Sequence, residues 1–581
     1  MTAKQELPSL GEERMSLKGL MGTRWNRGLA LCSAFLSVFG ILAPALAHNS
    51  DNGQGPTVNT VDGPVRGFTK NGVNVFLGIP YAAPPVGNLR WRPPAPAARH
   101  GLLDATHYAD SCEVTELQSF GGPKSMSEDC LYINVFTANV HGGNHGKAMP
   151  VIVWIYGGGN VEGESNDYDG SKLATGGPLG TPTVVVTFNY RLGLFGYLSE
   201  QHLNAEHHIW GNYGIMDQQA ALRWVQRNIR AFGGDPSRVA LGGQSAGAVD
   251  TGANVLSPGS TGLFNRAIYQ SSLPAFSGLP TSATALARGS AFATAVGCSS
   301  SACLRSLSAA RILQIQGTAK GNAVDPILKQ TYTVGPFVDG TVIPHQPETA
   351  FTTGQYNHMP TMAGTVADEA NFGAAITEYF TGPPQVAITP DQYTASKSAA
   401  VLAAYPLSAY GNNPQVAADR AGTDPTKCQT LHVLNLWASK IPTYAYDFTY
   451  TKAPFNFPQM PNAYSPTGHF QALAYHTADI QFLFPNFSGG ILGVNLDQDS
   501  GQPRELQGSE INLSDQLVAA WTNFAATGNP NGPGNLKWAQ YRANTGPFLQ
   551  QDIPTSVESV AQYRSNYKCD FWDSSLTYPT D

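Results

Sequence analysis

The residues best suited to covalent chemistry lie in Gly243-Gln244-Ser245-Ala246-Gly247, a match to G-x-S-x-G. A short apolar stretch, Arg238-Val239-Ala240-Leu241-Gly242, precedes it, and a helix-compatible run from Ala246 to Leu256 follows. In that context the motif reads as a sharp strand-to-helix turn. The serine is forced into a strained conformation that presents its hydroxyl, and the flanking glycines are required because a Cβ there would strike neighbouring chain. The chemistry is nucleophilic attack by the Ser245 hydroxyl, with the N-terminal amides of the following helix facing the place where negative charge develops. A second element fits independently. Tyr156-Gly157-Gly158-Gly159 follows the apolar run ending at Ile155, and its bare backbone N–H groups can approach a ligand closely. Gly158 and Gly159, with the amide of Ala246, are therefore the candidate oxyanion-hole donors, each worth about 2.7–4 kcal/mol of transition-state stabilisation. Either glycine-rich segment alone would also read as an ordinary flexible turn; the strand before and the helix after give the first its meaning.

These groups need a scaffold, and the surrounding pattern supplies one. Val151–Ile155 and Val184–Phe188 are continuous apolar, β-branched runs, as expected of strands covered on both faces of a mostly parallel sheet. Between the second of these and the strand before Ser245, Ile215-Met216, Ala220–Leu222, Trp224-Val225 and Ile229 recur at helical spacing until Gly233-Gly234-Asp235-Pro236 stops the helix. Further strands are expected at Ala267–Ser271, Met359–Gly364 and Thr443–Phe448. The alternation predicts an α/β fold: a doubly wound, mostly parallel central sheet flanked by helices.

The formal charge of −7 provides no basic stripe for phosphate neutralisation, which argues against a nucleic-acid partner. Near the amino terminus, Arg24 and Arg27 precede an almost uncharged apolar run, Gly28–Ala45, which ends in Ala45-Leu46-Ala47. That pattern predicts a secretory signal over 1–47, cleaved after Ala47, with one large domain over 48–581 and no stable membrane association afterwards; the competing reading is an uncleaved anchor. Of seven cysteines Cys32 falls in the signal, leaving Cys112, Cys130, Cys298, Cys303, Cys428 and Cys569. Their even number suits disulfides in a secreted or periplasmic protein, and the absence of CxxC or HExxH spacing gives no metal site. Spacing alone does not choose the pairing, although the first four fall into two short loops.

Further segments carry a family likeness. Phe76-Leu77-Gly78-Ile79-Pro80-Tyr81-Ala82, Leu89-Arg90-Trp91, Glu128-Asp129-Cys130-Leu131-Tyr132-Ile133-Asn134-Val135, Asn189-Tyr190-Arg191-Leu192-Gly193 and Gly211-Asn212-Tyr213-Gly214 appear in order between residues 76 and 214, part of a likeness that runs across nearly all of the chain after residue 47. Together with Gly242–Ala248, they make the chain resemble the type-B carboxylesterase and cholinesterase family of α/β-hydrolases. The resemblance implies the remaining partners of Ser245 in the chain order Ser, acid, His. Glu369, in Ala367-Asp368-Glu369-Ala370, takes the acid's place, with Asp368 as its rival. His476, in Tyr475-His476-Thr477-Ala478-Asp479, takes the base's place. It also implies bridges Cys112–Cys130, Cys298–Cys303 and Cys428–Cys569, and structural ion pairs Arg90–Glu128 and Arg191–Asp217. The function implied is a secreted serine carboxylic-ester hydrolase working through an acyl-enzyme on a small-molecule ester, without metal or organic cofactor.

The chain also departs from the family. Residues Cys112 to Cys130 contain no Trp to bind a quaternary ammonium through its π face, so a choline ester is not expected. Gln244 stands where a glutamate is common, Asn160 replaces an aromatic after the triple glycine and predicts a smaller, more polar pocket wall, and Ala370 stands where glycine often follows the acid. The pocket walls are expected from the loops Cys112–Cys130, Phe276–Gly317 and Phe372–Tyr405. Two other readings accompany the esterase: a lipase acting on longer-chain esters, and a catalytically silent binding protein on the same fold.

Overall fold

The apolar runs form the middle of an eleven-stranded sheet in a computed structural model of the protein. The structure describes residues 55–114, 125–143, 146–273, 278–316, 324–325, 330–331, 334–373, 388–455, 472–485, 495–498, 500 and 502–581. The expected signal over 1–47 lies outside the described residues. Gly53–Asp581 cluster as one compact unit.

In chain order the strands are β1 (Phe68–Lys70), β2 (Val73–Pro80), β3 (Tyr132–Thr137), β4 (Met149–Ile155), β5 (Val184–Phe188), β6 (Gly234–Gln244), β7 (Arg266–Gln270), β8 (Thr361–Val366), β9 (Thr443–Phe448), β10 (Phe548–Gln551) and β11 (Ser556–Glu558). Their spatial order is β11-β10-β9-β8-β7-β6-β4-β5-β3-β2-β1. Pairing is parallel from β5 through β4 and β6 to β10, and antiparallel at both ends. The central β4 and β5 are buried along their whole length, which is why they read as unbroken apolar runs.

Four strands differ from expectation at their ends. β4 starts at Met149, two residues earlier than expected, and β7 is shifted one residue earlier, to Arg266–Gln270. β8 starts at Thr361, two residues later than expected, because Pro360 has no N–H to give a ladder. β6 starts at Gly234, within the turn residues that end the preceding helix, and its register against β4 shifts between Met149 and Val151.

The helices that matter for the site are α1 (Tyr213–Asn228), α2 (Ala246–Leu256), α3 (Pro414–Ala438) and α4 (Ser509–Thr527). α1 and α2 occupy the expected stretches, and a 3-10 turn over Ile229–Phe232 with Gly233 at φ +81° closes the first. α2 packs on β6, β7 and β4, and α4 packs across β4 and β6.

The disulfides are Cys112–Cys130, Cys298–Cys303 and Cys428–Cys569. Arg191 meets Asp217 on α1 through two hydrogen bonds of 2.7 Å, and Arg90 Nε donates to Glu128 Oε2 at 2.6 Å. Both pairs are architectural: the first ties the segment after β5 to α1, and the second holds the segment beside Cys130. No helix among the described residues is long and apolar enough to cross a membrane.

Candidate active site

Strand register brings the glycine loop to Ser245. Trp154 and Ile155 of β4 pair with Gly242 and Gly243 of β6, so Tyr156–Gly159 and Gln244-Ser245 leave the carboxyl edge of the sheet side by side. In open α/β sheets this edge is where ligands bind. A Cβ on Gly157 would lie 3.0 Å from the Ser245 Cβ and 2.8 Å from the Gln244 carbonyl oxygen. The turn itself tolerates no side chains either: a Cβ on Gly247 would sit 2.1 Å from the Ile155 carbonyl oxygen, and one on Gly243 2.4 Å from that of Gly247. Ser245 adopts φ 57°, ψ −126°, a left-handed conformation that is costly for any residue with a Cβ, and is held there as its N–H donates to the Gln270 carbonyl at 2.9 Å.

Gly158 and Gly159 follow with φ of +107° and +62°, and the Gly158 carbonyl closes a turn by accepting from the N–H groups of Val161 and Glu162. Among the described residues, the N–H groups of Gly158, Gly159 and Ala246 donate to no acceptor. Helix α2 leaves its first amides unpaired by construction. The three bare donors are thus presented from the loop and from the helix start on either side of Ser245.

The acid and histidine loops also meet. Asp368 forms a bridge with Tyr475, its N–H donating to the Ala474 carbonyl at 3.0 Å. Beyond this pairing, His476 Nδ1 lies 2.5 Å from Glu369 Oε2. The other oxygen, Oε1, accepts from the Val366 N–H at 3.1 Å. Asp368, the rival acid, is engaged elsewhere, its Oδ2 accepting from the Ala474 N–H at 3.2 Å. Ala370 fits where glycine is usual because its methyl faces another glycine, Gly422 of α3, whose missing Cβ would lie 3.0 Å away.

No hydrogen bond joins the Ser245 hydroxyl to His476 among the described residues. His476 Nε2 instead lies 3.2 Å from the side-chain nitrogen of Gln244, the residue next to Ser245. With Nδ1–H given to Glu369, Nε2 is an acceptor and the Gln244 amide donates to it. A glutamate in the same place would have no proton to give at neutral pH, so this departure alters the resting state of the histidine.

The expectation for Asn160 is corrected. It is only 4% exposed and its side chain turns into the interior, so it adds no polar surface to the pocket. Its Nδ2 donates to Asp250 Oδ1 at 3.1 Å, and its Oδ1 accepts from the Tyr197 hydroxyl at 3.1 Å. Asp250, on α2, also accepts from Gln218 Nε2 at 2.6 Å. Burial pushes the Asp250 carboxyl up to about 7, against the lowering effect of its hydrogen bonds to Gln218, Asn160, Tyr190 and Tyr197.

Other groups near the site are given no role by the sequence. Asp479, one turn beyond His476, accepts from Gln270 Nε2 at 2.7 Å and is raised to about 6 by burial. The Glu162 carboxyl is raised by burial alone, and the residue's carbonyl oxygen and Cγ would lie 2.4 and 2.8 Å from a Cβ at Gly158. Thr477, β-branched, stands at φ 87° directly after the histidine. No cluster able to hold a metal ion occurs among the described residues. Of the expected pocket-wall loops, residues 115–124, 276–277, 317 and 374–387 lie outside the described residues.

Comparison with known proteins agrees with this architecture. The profile of the carboxylesterase family matches residues 54–572. Para-nitrobenzyl esterase of Bacillus subtilis (strain 168) is 31% identical over 534 residues, covering 88% of this chain and 98% of that one. Fumonisin B1 esterase of Sphingopyxis macrogoltabida is 33% identical over 83% of this chain and 84% of its own length. Acylcarnitine hydrolase of Mus musculus is 32% identical over 90% of this chain and 91% of its own. Among solved structures, a PNB esterase superposes with a TM-score of 0.68 at 29% identity, covering 88% of this chain and 99% of that chain. With the sheet order, the strained serine turn and a family match over nearly the whole described length, the chain belongs to the carboxylesterase family, has the α/β-hydrolase fold and is a carboxylic-ester hydrolase.

Proposed function

We propose that Ser245 is the nucleophile, His476 the general base and acid, Glu369 the carboxylate that holds the imidazole, and the N–H groups of Gly158, Gly159 and Ala246 the oxyanion hole. The observation that carries this reading is the 2.5 Å contact of His476 Nδ1 with Glu369, beside a serine at φ 57° and three unpaired amides. Glu369 fixes the tautomer in which Nε2 is free of hydrogen. As substrate enters, Nε2 exchanges the Gln244 amide for the Ser245 hydroxyl, a short move because the two residues are adjacent. Ser245 Oγ then attacks the ester carbonyl carbon, its proton passes to Nε2, and the carbonyl π pair moves onto oxygen and into the hole. Collapse breaks the bond to the alcohol oxygen, which takes the proton from His476. Water repeats the sequence on the acyl-enzyme and releases the carboxylic acid.

The same reading extends to the compartment. We propose that residues 1–47 are a cleaved secretory leader and 48–581 the mature domain, exported to the cell exterior or the periplasm. The three disulfides support this, since such bonds persist in oxidising compartments. The test of the chemistry is turnover of p-nitrophenyl acetate and butyrate by Ser245→Ala at unchanged thermal stability. Turnover should fall to the background rate; retained turnover removes Ser245 from the mechanism.

A further inference from the structure

Three amides are useful as an oxyanion hole only if the loop carrying two of them stays in register with the helix carrying the third. Gly158 and Gly159 are poorly suited to hold themselves, since both stand in left-handed conformations without side chains to anchor them. Asn160, the next residue, is also left-handed at φ 61°, and its side chain is the first in the loop that can be fastened. It is fastened on both ends, through Nδ2 to Asp250 Oδ1 and through Oδ1 from the Tyr197 hydroxyl, while its carbonyl accepts from the Gly193 N–H at 2.7 Å.

The anchor is not an arbitrary part of the interior. Asp250 stands five residues after Ser245 on the helix whose first amide is Ala246. One rigid element therefore carries the nucleophile turn, one donor, and the carboxylate that grips the loop bearing the other two. The carboxylate is itself fixed by Gln218 of α1, whose Oε1 accepts from Asn254 Nδ2 at 2.7 Å, and Ser260 Oγ donates to Asn254 Oδ1 at 2.9 Å. Every member of this chain is buried.

We propose that Asn160 is a positioning residue for ester hydrolysis: its side chain, gripped by Asp250 and Tyr197, sets the Gly158 and Gly159 amides at the height of the Ala246 amide above Ser245. This rests on the oxyanion-hole assignment made under Proposed function. It also accounts for an otherwise unexplained pairing, an asparagine after the triple glycine with an aspartate on the helix behind the serine. A phenylalanine at position 160 would have no group to give Asp250, and Asp250 without Asn160 loses one of its donors in a dry interior.

The test compares wild type, Asn160→Ala and Tyr197→Phe in p-nitrophenyl butyrate hydrolysis and in inhibition by an aryl trifluoromethyl ketone. Addition of Ser245 Oγ to the ketone carbon, with its proton passing to His476, leaves an oxyanion that needs the same three donors. Removing a whole oxyanion donor costs roughly 100- to 1,000-fold in kcat, so loosening two without deleting them should cost Asn160→Ala about 10- to 100-fold in kcat. KM should stay within about threefold, and the ketone Ki should weaken in parallel with kcat/KM. Tyr197→Phe leaves Asp250 bonded to Asn160 and Gln218 and removes the hydroxyl's bond to Asn160 together with its longer 3.5 Å contact with Asp250. It should fold as wild type and lose about 3- to 10-fold in kcat, with the same parallel in Ki. Wild-type kcat in a folded Asn160→Ala overturns the proposal, as does a loss in kcat without weaker ketone binding. If Asn160→Ala does not fold, wild-type kcat in Tyr197→Phe overturns it. Ser245→Ala separates the two levels: retained turnover there sinks the site itself, whereas abolished turnover with unaffected Asn160→Ala sinks only the clamp.

Discussion

Replacing Glu369 by glutamine is the most informative perturbation of the proposed site, because both of its carboxylate oxygens already accept. Oε2 faces His476 Nδ1 at 2.5 Å and Oε1 faces the Val366 N–H at 3.1 Å. An amide offers one oxygen only. If that oxygen serves Val366, the NH2 group points at Nδ1 and forces the proton onto Nε2, where it blocks proton uptake from Ser245. If the oxygen serves His476, the NH2 group meets the Val366 N–H and the acid loop must shift. Even with the tautomer retained, the imidazolium formed during attack loses its counter-charge. Two unit charges about 4 Å apart at an effective dielectric near 20 attract by about 4 kcal/mol, of which a neutral hydrogen bond recovers about 1 kcal/mol. At 1.36 kcal/mol per decade, the loss is roughly 100- to 1,000-fold. The assay is kcat/KM for p-nitrophenyl butyrate, with Asp368→Asn measured alongside. Asp368 is engaged with the Ala474 N–H and stands 3.9 Å from Arg420, so its variant should lose less than about tenfold. A Glu369→Gln activity within tenfold of wild type, or an equally damaging Asp368→Asn, would remove Glu369 from its proposed role.

Other outcomes follow from the scaffold. Removing the Cys428–Cys569 bridge, with a sequence separation of 141, should lower the unfolding free energy by up to about 5 kcal/mol on the chain-entropy estimate, against about 2 kcal/mol for Cys298–Cys303, with a separation of 5. Paired cysteine-to-serine variants followed by thermal unfolding measure the difference, and equal shifts would contradict the loop-closure argument. Glu558 is buried and pushed up to about 7, mainly by desolvation and then by Asp447, so its ionised form opposes folding. Because its folded value is raised, stability is lost as pH rises from the ordinary glutamate range through about 7. Glu558→Gln should therefore gain on the order of 1–2 kcal/mol at pH 8, after allowance for solvent screening, and little at pH 5. A gain of the same size at both pH values, in denaturant titrations, would show that the carboxylate's charge is not the cause.

The parts of the fold legible in the sequence are those set by local pattern. β4 and β5 are buried on both faces and read as unbroken apolar runs, and Ser245 was visible because its glycines are demanded by contacts within a few residues of it. Helix α3 hides itself with Gly422 and Pro425 in its interior; the glycine is there for the Ala370 methyl, a contact made 52 positions away in the chain. The antiparallel strands β1 and β11, each three residues long, are too short to show a period. Within the site, the residue types of Glu369 and His476 single out neither among 41 acids and 13 histidines; only the family resemblance did so. The Asp250 clamp had no local signal at all. Asn160, Tyr197, Gln218 and Asp250 come from four segments, and the sequence reading of Asn160 as pocket wall failed because side-chain direction depends on a partner brought near by the sheet.

In the proposed mechanism one serine hydroxyl, activated by His476, performs the chemistry. The most direct measurement of this is labelling of the folded protein with an organophosphate, followed by peptide mass spectrometry. One adduct per chain on Ser245, formed at the rate at which ester hydrolysis is lost and greatly slowed in Glu369→Gln, is the predicted result. Loss of hydrolysis with the adduct on another residue, or full hydrolysis by protein labelled at Ser245, would contradict it.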